Sequence, residues 1–173
     1  MNNKMGLEII EGQTRVPEVV MPIRVDGEFT TLNTREQFEG KRVIVFGLPG
    51  AYTPTCSNNQ LPGYDKLFDQ FQEKGIDEIY CVSVNDTFVM NSWFKDSNIE
   101  NLYPLPDGNG EFTHILGSEV LKSNLGFGMR SWRYAMVVND GVIERMFAEA
   151  GYQDNIETDP YEVSTPENVL NNL

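Results

Sequence analysis

The sequence predicts an α/β fold, a central mixed sheet flanked by helices with a β extension near its N-terminus, and three stretches carry that prediction. Residues 42–48 (Arg-Val-Ile-Val-Phe-Gly-Leu) form an unbroken apolar run of strand length, bounded by charge and by Pro49-Gly50. Such a run marks a strand buried on both faces. Residues 78–84 repeat the pattern, and between the two runs Leu61, Tyr64, Leu67, Phe68 and Phe71 recur at helical spacing. A β-α-β unit of this kind pairs its strands in parallel. Residues 133–139 and 142–148 are two further β-rich runs joined by Asp140-Gly141, a dipeptide suited to a two-residue turn, so they read as an antiparallel hairpin.

The remaining elements follow from punctuation. Turn signals at Gly12, Pro17, Pro22 and Asp26-Gly27 separate β-prone pieces at residues 19–21 and 28–32. Thr34-Arg35-Glu36-Gln37 resembles a capping box opening one short helical turn. A helix is expected over residues 56–74, stopped by Gly75, with Pro62 breaking or kinking its first turns. Val84 is expected level with Leu48. Asn85-Asp86 cap a helix running to about Asp96, and residues 106–110 form a turn. Short helices are expected at residues 111–116, 118–125 and 166–173. The order β-α-β-α-β-β-α around a mixed sheet matches a thioredoxin-like layered fold. One domain, residues 1–173, accommodates all of it, since a chain of this size buries roughly 70% of its unfolded surface without disulfides or metal.

Charge and cysteine content narrow the function. Lys and Arg number 13 against 26 Asp and Glu, a net charge of −13. Phosphate backbones and anionic bilayers are repelled by such a surface, so neither nucleic acid nor a membrane is an expected partner. No apolar run approaches the ~20 residues of a membrane span. The opening Met-Asn-Asn-Lys-Met-Gly lacks the apolar stretch of a secretory signal, and a cytoplasmic protein is expected. With only Cys56, Cys81 and His114 as thiol and imidazole groups, neither a zinc site nor a disulfide scaffold is expected, and no cofactor is called for.

The chemistry concentrates in residues 47–57, Gly-Leu-Pro-Gly-Ala-Tyr-Thr-Pro-Thr-Cys-Ser. This stretch leaves the C-terminal end of a buried strand and enters a helix, the place where open α/β sheets bind ligands. A helix N-terminus offers unpaired N–H groups and a positive dipole end, conditions under which a thiol is activated as an anion. Cys56 stands there. An isolated cysteine is more often an inert buried hydrophobe, so the surrounding residues decide the matter. Thr53 can offer a hydroxyl one turn away, Pro49 and Pro54 supply rigid apolar walls, and Arg130 and Arg133 precede a strand from which they can supply a cation. Thr53-Pro-Thr-Cys56 holds one sulfur where a dithiol oxidoreductase needs two, which excludes that class. His114 is expected to be an ordinary exposed residue, which weakens any Cys-His hydrolase reading.

Pro49-x-x-x-Thr53-x-x-Cys56 resembles the active-site pattern of the peroxiredoxins, and the run at residues 49–57 resembles their peroxiredoxin-5 subfamily. The likeness continues through residues 61–64, 82–88, Trp93, residues 106–112 and residues 130–138, and it extends to the peroxiredoxin domain of bacterial peroxiredoxin/glutaredoxin hybrids, without their glutaredoxin domain. The resemblance implies a thiol peroxidase acting on hydrogen peroxide and alkyl hydroperoxides. It makes Cys56 the peroxidatic thiolate, with Thr53 holding the peroxide and Arg133 stabilising the thiolate and the breaking O–O bond. Arg130 becomes a supporting cation, Pro49 the shield of the sulfenic acid, and the N–H groups of Thr55 and Cys56 donors to peroxide oxygen. It also implies a non-covalent homodimer.

Two departures from the family pattern shape the expected cycle. Gln60 stands where many members have histidine, removing a protonatable group from the site. Residues 159–164, where some members carry a second cysteine, have none. With Val84 level with Leu48, Cys81 lies three residues deeper, about 10 Å at ~3.3 Å per residue, beyond ready disulfide reach. Cys81 is therefore expected to be a buried strand residue, and an outside thiol to reduce Cys56. Glutathione with glutaredoxin is the favoured reductant and thioredoxin the alternative. The competing functions are a two-cysteine peroxidase with Cys81 as resolving residue, and a peroxide-sensing redox switch or holdase.

Overall fold

The computed structural model describes Met5, Gly6 and residues 8–173. The opening stretch read above for a secretory signal lies largely outside the described residues. In chain order the strands are β1 (Val20–Val25), β2 (Glu28–Asn33), β3 (Arg42–Gly47), β4 (Glu78–Ser83), β5 (Tyr103–Pro106), β6 (Glu119–Leu121), β7 (Met129–Ser131), β8 (Tyr134–Asn139) and β9 (Val142–Ala148). The helices are α1 (Thr34–Phe38), α2 (Leu61–Lys66), α3 (Phe68–Glu73), α4 (Thr87–Asp96), α5 (Glu111–Leu116) and α6 (Pro166–Asn171), with a π-helical turn at Cys56–Gln60.

Five strands form the central mixed sheet in the order β5-β4-β3-β8-β9. β3 pairs in parallel with β4, which pairs in parallel with β5, while β8 runs antiparallel to both β3 and β9. Because successive side chains on a strand point to opposite faces, β3 feeds two cores. Val43 and Val45 pack on one face with Phe38 of α1 and with Phe112 and Leu116 of α5. Ile44 and Phe46 pack on the other with residues of α2, α3, α4 and α6. Phe46 stacks on Tyr64 of α2 with ring centroids 4.2 Å apart, which fixes α2 over the end of β3 where the site lies. Asp140 and Gly141 both adopt positive φ (48° and 80°), the mirror-image turn that a two-residue hairpin requires. The expected N-terminal extension is the β1–β2 hairpin, which pairs with no strand of the central sheet.

The structure corrects several local expectations. The helix expected over residues 56–74 is divided into the π-helical turn, α2 and α3. Pro62 sits in the first turn of α2, where its missing N–H costs nothing, and Leu67 (φ −94°, ψ 6°) separates α2 from α3. Residues 118–125 do not form a helix. Glu119–Leu121 is drawn into an antiparallel ribbon with β7, and only Ser123–Leu125 makes a tight helical turn. The cap of α1 is Asn33, whose side-chain Oδ1 accepts from the Arg35 and Glu36 amides, while Thr34 is buried and bonds Pro17 and Val19. β5 was not expected; its two prolines are tolerated because it is an edge strand. The register of β3 on β4 is one residue from that expected. Phe46 faces Cys81 and Gly47 faces Val82, so Cys81 lies two residues below Leu48, not three. Among the described residues, no helix is long and apolar enough to cross a membrane.

Candidate active site

Cys56 is presented by the turn between β3 and α2, and that turn is tied down from the neighbouring strand. The Leu48 amide donates to the Val82 carbonyl (3.2 Å), and the Ala51 amide donates to the Asn85 side-chain oxygen (3.0 Å), which also accepts from the Ser83 hydroxyl (2.6 Å). Gly50 leaves room for Arg130, since a Cβ at that position would lie 2.5 Å from Nη1 and push the guanidinium aside. The Gly50 carbonyl accepts from the Thr53 hydroxyl at 2.7 Å. The threonine's lone pairs are thus left to receive another proton donor. The Ser57 amide closes the first turn on the Thr53 carbonyl (2.9 Å), and the Ser57 hydroxyl accepts from the Trp93 indole of α4 (2.9 Å). Thr55 and Cys56 lie in that first turn, where amides have no partner within the helix.

Arg133, just before β8, reaches the sulfur. Its Nη2 donates to Cys56 Sγ at 3.4 Å, its Nε to the Gln60 side-chain oxygen at 2.9 Å, and its Nη1 to Asp159 at 2.5 Å and the Pro160 carbonyl at 3.1 Å. Burial alone would weaken this guanidinium's hold on its proton, but the charges of Cys56 and Asp159 outweigh it, and its pKa is raised above the ordinary arginine value. Every edge of the planar fork is engaged, so its orientation toward the sulfur is fixed. Arg130 is held differently. It donates to the Pro49 carbonyl (3.1 Å) and the Phe127 carbonyl (3.1 Å) and stacks on the Phe127 ring, bracing the loop wall while making no hydrogen bond to Cys56.

The segment carrying Asp159 and Pro160 is clamped in turn by Glu149. This carboxylate, 4% exposed, accepts from the amides of Glu162 (2.9 Å), Val163 (3.1 Å) and Ser164 (2.8 Å) and from the Ser164 hydroxyl (2.6 Å). The Glu149 amide itself donates to the Arg133 carbonyl at 3.1 Å, so the clamp and the arginine are neighbours on one strand pair. Glu149→Gln replaces one acceptor oxygen by a donor facing buried N–H groups. The expected cost is about 1–3 kcal/mol of stability, read as a lower urea midpoint; an unchanged midpoint would show that the clamp holds nothing.

The structure brings Cys56, Thr53, Pro49, Thr55, Arg130 and Arg133 to one end of the sheet. Cys81 is fully buried on β4 with a free thiol, in the same core cluster as Cys56. Burial, and then the neighbouring Cys56, raise its pKa well above the ordinary thiol value, so it is held protonated. His114 is exposed and pairs with Glu119 at 3.2 Å. Sequence reasoning missed Asp159, Pro160 and Glu149, because residues 149–165 carry no strand or helix periodicity to place them. It treated Gln60 only as the loss of a histidine, whereas the residue is buried and orients Arg133. Among the described residues, no cluster of His, Cys, Asp or Glu could hold a metal ion.

A buried sulfur, a guanidinium fixed against it and free amides at a helix start are suited to nucleophilic displacement on oxygen, where negative charge accumulates on the leaving atom. On a thioredoxin-like sheet, this arrangement defines a thiol-based redox protein. Comparison with known proteins narrows the class. Residues 11–169 match the Redoxin family. The chain is 51% identical to a peroxiredoxin of Sinorhizobium fredii, over 92% of this chain and 89% of that protein. It is 49% identical to the hybrid peroxiredoxin hyPrx5 of Haemophilus influenzae, over 95% of this chain and 66% of the hybrid. The structure superposes on the antioxidant protein of Plasmodium falciparum, a 1-Cys peroxiredoxin, with a TM-score of 0.88 and 40% identity, covering 92% of this chain and 96% of the other. The chain belongs to the peroxiredoxins, thiol peroxidases that reduce peroxides at the expense of a thiol.

Proposed function

We propose that the chain, acting as a single domain, reduces hydrogen peroxide and alkyl hydroperoxides through a one-cysteine cycle at Cys56. The Cys56 thiolate attacks the distal peroxide oxygen. The O–O bond breaks, the sulfur becomes a sulfenic acid, and the departing hydroxide or alkoxide takes up a proton as water or alcohol. Arg133 stabilises the attacking sulfur and the breaking bond, Thr53 accepts a hydrogen bond from the peroxide, and the Thr55 and Cys56 amides donate to its oxygen. Pro49, braced by Arg130, shields the sulfenic acid. An external thiol then forms a mixed disulfide with Cys56, releasing water, and a second thiol frees the enzyme.

The single observation that carries the one-cysteine reading is the state of Cys81. It lies inside the sheet, level with Phe46, with its thiol held protonated, and a protonated buried thiol is a poor resolving nucleophile. The antioxidant protein of Plasmodium falciparum, a 1-Cys peroxiredoxin, supports the same reading. Glutathione, with glutaredoxin, is the reductant this favours over thioredoxin. A cytoplasmic, non-covalent homodimer completes the proposal.

Intact-mass measurement after limited peroxide and then glutathione tests it on the wild type and on Cys81→Ser. A glutathione adduct on both proteins is the expected result. Loss of two hydrogens in the wild type alone, marking an internal disulfide, would overturn the one-cysteine cycle.

A further inference from the structure

Lys122 is a buried cation that the cycle above leaves without work. It directly follows β6, and its backbone is fixed: the amide donates to Gly128 (2.8 Å), and the carbonyl accepts from Leu125 (3.0 Å) and Phe127 (3.1 Å). The residue is 3% exposed. Its ammonium stands 5.8 Å from the centre of the Trp132 ring, and among the described residues it makes no hydrogen bond or ion pair. Its side chain lines a narrow cleft with Pro49, Trp132, Arg133, Asp159 and Pro160, against the guanidinium that touches Cys56. Burial lowers its pKa below the ordinary lysine value and the Arg133 charge adds to that, while the charges of Asp159 and Cys56 oppose it, so the ammonium feels the groups of the active site.

The stem of Lys122 is packed in the cleft, while its ammonium, which has no protein acceptor among the described residues, still reaches solvent. An apolar side chain would fill the buried space as well, so packing alone does not explain a lysine here. Once oxidation turns Cys56 into a neutral sulfenic acid, the cleft keeps two cations, Lys122 and Arg133, against one carboxylate, Asp159, which is bound to Arg133 at 2.5 Å. The imbalance calls for an anion. Hydrogen peroxide and alkyl hydroperoxides are uncharged near neutral pH and gain little from a second cation. The other reactant that must reach Cys56 is the reducing thiol, and an acidic thiol approaching a chain of net charge −13 meets long-range repulsion. A local cation beside the sulfur offsets that repulsion where it matters.

We propose that Lys122, beside Arg133, forms a carboxylate subsite that seats an anionic low-molecular-weight thiol for attack on oxidised Cys56. The inference rests on the external-thiol reading above. With the carboxylate held on Lys122, the thiol sulfur attacks the sulfenic sulfur of Cys56. An S–S bond forms, the S–O bond breaks, and the hydroxide leaves with the thiol's proton as water.

The test uses sulfenic acid preformed with one equivalent of hydrogen peroxide, then mixed with either mercaptopropionate, which carries a carboxylate, or mercaptoethanol, which is uncharged. Quenched-flow mass measurement of the mixed disulfide gives a rate constant for each thiol, and the quantity read is their ratio. Lys122→Met should lower that ratio about tenfold, the loss of one charge-assisted contact, and Lys122→Arg should keep it. An unchanged ratio in Lys122→Met, or an equal slowing with both thiols, overturns the subsite alone. If Lys122→Met does not fold, the methyl ester of mercaptopropionate on the wild type makes the same comparison, and equal rates for ester and acid overturn it. Failure of both thiols to add to wild-type Cys56 instead removes the external-thiol reading, and the subsite with it.

Discussion

Cys56→Ser is expected to abolish peroxide turnover, with a loss of at least about 10⁴-fold, the scale seen when an enzyme loses its nucleophile. The substitution removes one polarisable atom and little else. A serine hydroxyl is small enough for the cavity and still accepts from Arg133, so the fold should survive. What the site lacks is a base. The neighbours of the sulfur are a guanidinium, a buried glutamine and a hydroxyl already bonded to Gly50. They can stabilise an anion that forms easily, as a thiolate does, but they cannot take a proton from an alcohol. Cys81 cannot substitute, because it is buried with its thiol held protonated. Stopped-flow consumption of hydrogen peroxide with excess glutathione measures the loss. Turnover within tenfold of wild type would remove Cys56 from the reaction.

The parts of this site that were legible in the sequence are those set by local chain chemistry. The strand-to-helix turn could be read because β3 is apolar throughout and Pro49-Gly50 ends it. Thr53 lies one turn before Cys56, and Pro49 opens the same short strand-to-helix connection, so all three are set by one local stretch of chain. Arg133 could be placed just before a hairpin strand, and the family resemblance gave it its role at the sulfur; that this strand adjoins β3 is seen only in the structure. The supports of Arg133 could not be placed. Asp159 and Glu149 come from a stretch without periodicity, and their positions depend on a carboxylate capping amides 13–15 residues away, which no local pattern encodes. The misread segments share one cause: β6 and β5 are short, and each is held by a partner strand whose pairing outweighs its own propensity. The register error has a similar origin. The Leu48 amide bonds the Val82 carbonyl beyond the end of β3, and the one-residue offset between the strand ends is a property of the pair.

Arg133 carries the second large prediction, and its geometry decides which substitution is informative. Arg133→Met should slow sulfenic acid formation by about 10²–10³-fold, the cost of removing a preorganised group from a developing charge. Arg133→Lys should fall nearly as far, although it keeps the charge. The guanidinium makes four simultaneous contacts, to Cys56, Gln60, Asp159 and Pro160, along the edges of one plane. An ammonium on a shorter stem cannot satisfy them together, and Asp159, the only carboxylate among those partners, would draw it away from the sulfur. Arg130 offers no replacement, since its Nε and Nη1 are tied to the Phe127 and Pro49 carbonyls and hold it in the loop wall. The two variants therefore separate charge from orientation. Single-turnover oxidation by hydrogen peroxide, followed by tryptophan fluorescence, reads both. A lysine variant within about fivefold of wild type would mean that charge suffices. A loss close to that of the methionine variant would mean that the contribution of Arg133 is the direction in which its neighbours hold it.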